Sequence, residues 1–214
     1  VSSQIEDQDT VHIKDWWQRN GKPLLIGGVV ALAAVLGWQW WERYQANQAQ
    51  AASMVYQQLV EAALDPSGKP DTARVTDLSN QLKQEYASST YSQYGRLFVA
   101  KVAVESGKLD DAAVELKAVV DKPADETLGE LARQRLARVL AAQGKAEEGL
   151  KLLEGKAAEP YAANREEVRG DLLVSLGRTE DARAAYEKAK AELPPDAAEG
   201  TLQMKLDDLA KGDA

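Results

Sequence analysis

The sequence predicts an all-α protein, with one N-terminal transmembrane helix followed by a right-handed solenoid of helical repeats. Three observations carry this prediction. Leu24–Trp41 (LLIGGVVALAAVLGWQWW) is a single apolar run, interrupted only by Gln39. Downstream, Gly and Pro punctuate stretches whose apolar residues fall three and four apart, and strand-like alternation is almost missing. The turn glycines Gly107, Gly144 and Gly177 recur at spacings of 37 and 33, the range in which one supersecondary unit stacks on its copies.

The apolar run comes first. At about 1.5 Å per residue it spans roughly 27 Å, close to a hydrocarbon core of about 30 Å. Trp16 and Trp17 precede it and Trp38, Trp40 and Trp41 close it, so all five tryptophans of the chain lie where an aromatic belt forms. Lys14, Arg19 and Lys22 stand before the run and only Arg43 within twenty residues after it. That bias keeps the N-terminus cytoplasmic and translocates the chain beyond Trp41. A cleaved leader ending near Ala49-Gln50-Ala51 is the rival reading, but that site lies too far past Trp41 and the region before the run carries acids. A core helix of a soluble protein does not account for the tryptophans.

Glu42–Leu64 is rich in Ala and Gln and free of Gly and Pro, so it is expected to prolong the membrane helix as a stalk. Asp65-Pro66-Ser67-Gly68-Lys69-Pro70-Asp71 should break it. Val75, Leu78 and Leu82 predict a helix over Thr72–Tyr86. Helices at Tyr91–Ser106 and Asp196–Leu209 should open and close the repeats, the last with Leu202, Leu206 and Leu209 as its apolar face.

The chain has 26 basic and 34 acidic side chains, a net charge of −8. The first 22 residues hold three of the bases and four of the acids, so the remainder carries −7. Such a domain has no general attraction for nucleic acid or anionic lipid. Absence of Cys excludes thiol chemistry and cysteine metal sites.

Each turn glycine is followed by Lys or Arg and then by an acidic pair. Five residues past the glycine stands a small residue (Ala112, Gly149, Ala182), and nine past it a large one (Leu116, Leu153, Tyr186). Small residues let antiparallel helices approach, and the large one fills the space between pairs. The pattern resembles the tetratricopeptide repeat, best in the third copy with Gly177, Ala182, Tyr186, Ala189 and Pro194. Gly149 in place of Ala and an insertion around Ala124–Thr127 mark the other copies as degenerate.

A wider resemblance covers the whole chain. GWQWWERYQ closing the anchor, SMVYQQL in the stalk, RLARVLAAQGKAEEGLKLL, VRGDLLVSLGRTEDARAAYEKA and the closing TLQMKLDDL together resemble the YfgM family, the ancillary subunits of the bacterial SecYEG translocon. The resemblance implies a single-pass inner-membrane protein whose periplasmic domain sits beside the SecYEG channel. It also implies partnership with PpiD, a membrane-anchored relative of prolyl isomerases, and chaperone-like help to unfolded periplasmic or outer-membrane clients. The expected division is 1–23 cytoplasmic tail, 24–41 transmembrane helix, 42–64 stalk and 65–214 periplasmic repeat domain. An anchored scaffold for outer-membrane or cell-wall machinery shares every physical feature and differs only in partner.

No enzyme, cofactor or metal is expected. The single histidine, His12, lies in the cytoplasmic tail, so the translocated part has no Ser-His-Asp triad and no ordinary zinc site. Asp110-Asp111, Glu147-Glu148 and Glu180-Asp181 share one repeat phase at the start of a helix, where negative charge stabilises the helix dipole by roughly 0.3–1 kcal/mol. Partner binding is the expected activity. In tetratricopeptide repeats the first helix of each pair lines the concave face. The matching positions are Leu97, Lys101 and Val104; Gln134, Arg138 and Ala141; and Glu167, Asp171 and Val174. Within the anchor, Gly27 with Ala31 and Ala33 with Gly37 have the small-xxx-small spacing of close helix packing.

Overall fold

A computed structural model describes residues 2–64, 71–194 and 200–212, with side chains from Gly21 onward. Every regular element among them is helical: α1 (Ser2–Ala63), α2 (Thr72–Glu85), α3 (Thr90–Glu105), α4 (Leu109–Asp121), α5 (Glu126–Ala142), α6 (Ala146–Leu152), a 3-10 turn (Glu159–Tyr161), α7 (Ala162–Ser175), α8 (Thr179–Ala191) and α9 (Gly200–Gly212). The break expected at Asp65–Pro70 lies outside the described residues. The chain divides into two compact units, Val1–Gln50 and Ala51–Ala214.

In the first unit, α1 carries the apolar run with Pro23 just ahead of it. Among the described residues this is the one helix long and apolar enough to cross a membrane, and none of its apolar window is buried against the chain. Trp40 and Tyr44 stack at 5.8 Å between ring centroids, one turn past the run.

The second unit begins earlier than the stalk reading expects. Ala52, Val55, Leu59, Ala62 and Ala63 are buried with Val75 and Leu82 of α2 and Val102 of α3. Their three- and four-residue spacing gives the end of α1 an apolar stripe, and the stripe packs. The last turns of α1 are therefore the first core helix of the repeat unit.

Three helix pairs come next, α3/α4, α5/α6 and α7/α8. Each turn between partners ends the first helix in the same way. Gly107, Gly144 and Gly177 have φ of 73°, 77° and 70°. The next amide donates five residues back: Lys108 to Ala103 at 2.8 Å, Lys145 to Leu140 at 2.8 Å, and Arg178 to Leu173 at 2.9 Å. Only glycine adopts that left-handed backbone without strain, so the turn glycines read from sequence are the helix stops. The acidic pairs fall in the first turns of α4, α6 and α8, none of which has a side-chain N-cap.

Gly149 has a packing reason. A Cβ there would lie 2.8 Å from the Ala137 carbonyl oxygen and 2.7 Å from Leu172 Cδ2. α6 approaches α5 too closely for the alanine that stands at this position in the other copies. Insertion at Ala124 is clamped by Gln93, which donates to the Lys122 carbonyl at 2.9 Å and accepts from the Ala124 amide at 2.8 Å. Glu115 of α4 ties three helices by pairing Lys83 of α2 at 2.9 Å and Arg96 of α3 at 2.7 Å.

Candidate protein-interaction site

The nine concave-face positions divide by copy. In the first, Leu97 is buried in the core, while Lys101 and Val104 are exposed. In the second, Arg138 is exposed and Ala141 half-buried, but Gln134 is buried. In the third, Glu167 and Asp171 are half-buried and Val174 exposed.

Gln134 is occupied from inside. Its amide donates to Glu130 at 2.9 Å and to the Tyr161 carbonyl at 3.3 Å. Glu130 and Arg165, 1% and 2% exposed, form a two-pronged ion pair joining α5 to α7. Arg165 Nε donates to Glu130 Oε1 at 2.7 Å, and its Nη1 reaches the Gly155 carbonyl at 3.1 Å. Burial alone would raise the Glu130 pKa, but the bonds from Arg165 and Gln134 outweigh it and hold the carboxyl below its ordinary value.

Two of the third-copy positions, Glu167 and Asp171, are covered by α9. Lys205 reaches Glu167 at 2.7 Å and Asp171 at 2.5 Å, and lies over the Tyr186 ring. Burial alone would lower the Lys205 pKa, yet the Asp171 and Glu167 contacts hold it above its ordinary value. The Tyr186 hydroxyl, pushed up by burial and then by Asp171, donates to Asp171 at 2.8 Å. Leu202 of α9 is buried with Tyr186 and Ala189.

An open groove remains between the first and second copies. Leu97, Ala100, Val104, Leu116 and Val139 give it apolar walls, and Lys101, Glu105, Arg135 and Arg138 its charged groups, around a volume of about 320 Å³. Four sequence-derived candidates, Leu97, Lys101, Val104 and Arg138, thus converge on one cavity. Arg135 escaped the repeat register, although it stands three residues before Arg138 and so on the same helix face. The run Arg133, Arg135, Arg138 in an acidic domain was the available signal.

An aromatic cluster joins α1 to α3. Tyr56 of α1 meets Tyr91, Tyr94 and Phe98 of α3 with centroids 5.2, 5.7 and 6.0 Å away. Burial, and then the neighbouring Tyr94 and Tyr91, raise the Tyr56 pKa.

In the anchor, a Cβ at Gly27 or Gly37 would meet no atom of the chain, and Ala31 and Ala33 are exposed. The side chain of His12 lies outside the described ones. Among the described residues no group of three or more His, Cys, Asp or Glu is placed to hold a metal ion.

A family model described as a tetratricopeptide repeat-like domain matches residues 14–211. The ancillary SecYEG translocon subunit of Escherichia coli (strain K12) is 31% identical over 209 residues, which is 96% of this chain and 97% of the relative. The chain belongs to the ancillary SecYEG translocon subunit family. Family members from Neisseria gonorrhoeae (28% identical, 95% of this chain and 97% of the relative) and Haemophilus influenzae (26%, 86% and 88%) match across similar lengths. No solved structure matches. The ancillary-subunit family thus spans anchor and repeats together, and not the repeat motif alone.

Proposed function

We propose that this chain is a non-catalytic ancillary subunit of the Sec translocon, anchored in the inner membrane by one helix. The observation that carries this is near-complete coverage of relatives bearing that name, including the apolar helix. Residues 1–23 are its cytoplasmic tail and 24–41 its membrane span. The basic bias of Lys14, Arg19 and Lys22 supports a periplasmic repeat domain.

The groove between α3 and α5 is the face offered to PpiD or to emerging unfolded clients. It has the concave, partly apolar form that extended chains occupy, and α9 leaves it uncovered. Small residues Gly27, Ala31, Ala33 and Gly37 provide the surface for packing against other membrane helices.

A photo-crosslinker placed at Val30 and another at Arg138, in living cells, test both surfaces. SecY or PpiD among the leading adducts is the expected result. Adducts dominated by another envelope assembly would leave the anchored architecture standing and overturn the translocon role.

A further inference from the structure

Acids outnumber bases beyond the anchor, and many of the cations there have found one. Lys83, Arg96, Arg133, Arg165, Arg169, Lys188 and Lys205 each pair with a carboxylate of the chain. Arg135 and Arg138 do not: among the described residues neither has an ion-pair partner. They stand one turn apart on α5, where like charges repel. Burial first, and then the charge of Arg138, lower the Arg135 pKa. Both line the same groove, beside its aliphatic floor. Lys101 completes the positive rim, its own nearest acid being Glu105 at 3.6 Å.

Charge complementarity selects the occupant. Guanidinium forks match carboxylates in bidentate geometry, and the floor beside them is aliphatic. A volume of about 320 Å³ is at the low end of sites for small ligands, roughly 300–1,000 Å³. It accepts one or two side chains of an extended segment and not the flank of a helix.

We infer that the α3–α5 groove binds extended, unfolded polypeptide at sites where an aliphatic residue stands next to an acidic one. This rests on the reading of the groove as the client-facing surface and adds the chemistry it selects. The aliphatic side chain enters between Val104 and Val139, and the carboxylate bridges Arg135 and Arg138.

The test uses the full chain in detergent micelles and a fluorescein-labelled peptide of alternating leucine and aspartate. A twin with asparagine for every aspartate is the control probe. The native chain should bind the aspartate peptide about tenfold more tightly than its twin, the scale of one charge-assisted bond. That preference should vanish in Arg135→Gln/Arg138→Gln and persist in Lys117→Gln, on an exposed face. Val104→Glu, which places an anion at the exposed edge of the floor, should also weaken the aspartate peptide. Equal binding of both peptides by the native chain, or a preference surviving the double substitution, overturns the inference. So does loss of self-association in the double variant without any peptide preference, because a second copy is then the occupant. Co-purification of the double variant with SecYEG is scored separately. If it is retained while the peptide preference is missing, the groove chemistry fails and the translocon role stands.

Discussion

Glu130 and Arg165 show why residue-level reading of a sequence misses some roles. Repeat register assigned Gln134 to the ligand-facing surface, but its amide turns inward to Glu130, the carboxylate that also accepts from Arg165, 31 positions later. Nothing local marks Arg165 as buried, since arginine is among the residues most often exposed. Removing Glu130 leaves a guanidinium buried and unpaired, so Glu130→Ala should cost about 3–5 kcal/mol, measured by urea denaturation. The pair also sets a pH dependence. Its carboxyl is held below the ordinary 4.5, so its stabilisation is complete above that value and is lost as pH falls through the lower folded pKa. The wild-type urea midpoint should therefore drop more steeply below pH 4.5 than that of Glu130→Gln; parallel profiles would refute the assignment. Gly170 gives a second test at this scale. A Cβ there would overlap the buried Tyr186 ring, so Gly170→Ala should destabilise by about 1–3 kcal/mol in the same assay. The turn glycines, by contrast, were legible from sequence because their cause is local: a left-handed backbone two residues past a helix end.

At the scale of elements, most helices were readable from apolar spacing. The helix expected over Thr72–Tyr86 is α2, and that expected over Tyr91–Ser106 is α3, each within a residue at either end. Composition misled at the stalk. Ala and Gln dominate Glu42–Leu64, which reads as solvated, but small alanines are what permit α1 to pack closely on α2 and α3. A fragment beginning at Ala51 should melt in one cooperative transition followed by circular dichroism. One beginning at Thr72 uncovers Val75, Leu82 and Val102 and should lose hydrogen-exchange protection throughout α2 and α3. Equal protection in the two fragments would return the end of α1 to the role of a spacer. The closing helix is tested by Leu202→Ala, which should cost about 2–4 kcal/mol through the cavity left against Tyr186 and Ala189. Its effect should concentrate on exchange in α7 and α8.

For the whole molecule, function was legible through the order of its parts rather than through any one motif. An apolar span, then degenerate repeats at periods near 34, is a pattern carried by the chain, and the family model matches it over residues 14–211. The concave groove was half legible: Lys101 and Arg138 come from register, while closure of the third copy by α9 needs a contact between Lys205 and Asp171, 34 residues apart. In the membrane unit, Gly27→Leu with Gly37→Leu should reduce co-purification with SecYEG several-fold from detergent extracts; undiminished yield would make the anchor a tether alone.

Repeats that share a turn, a small-residue contact and an acidic first turn present a hazard, because neighbouring copies can exchange places within one chain or between two chains. The buried ion pair distinguishes them. Glu130 has its arginine only when α7 lies beside α5, and a stack that seats another repeat there buries the carboxylate alone, at a cost of several kcal/mol. One contact between two side chains thereby numbers the repeats, so that a chain of near-interchangeable units assembles in a single order.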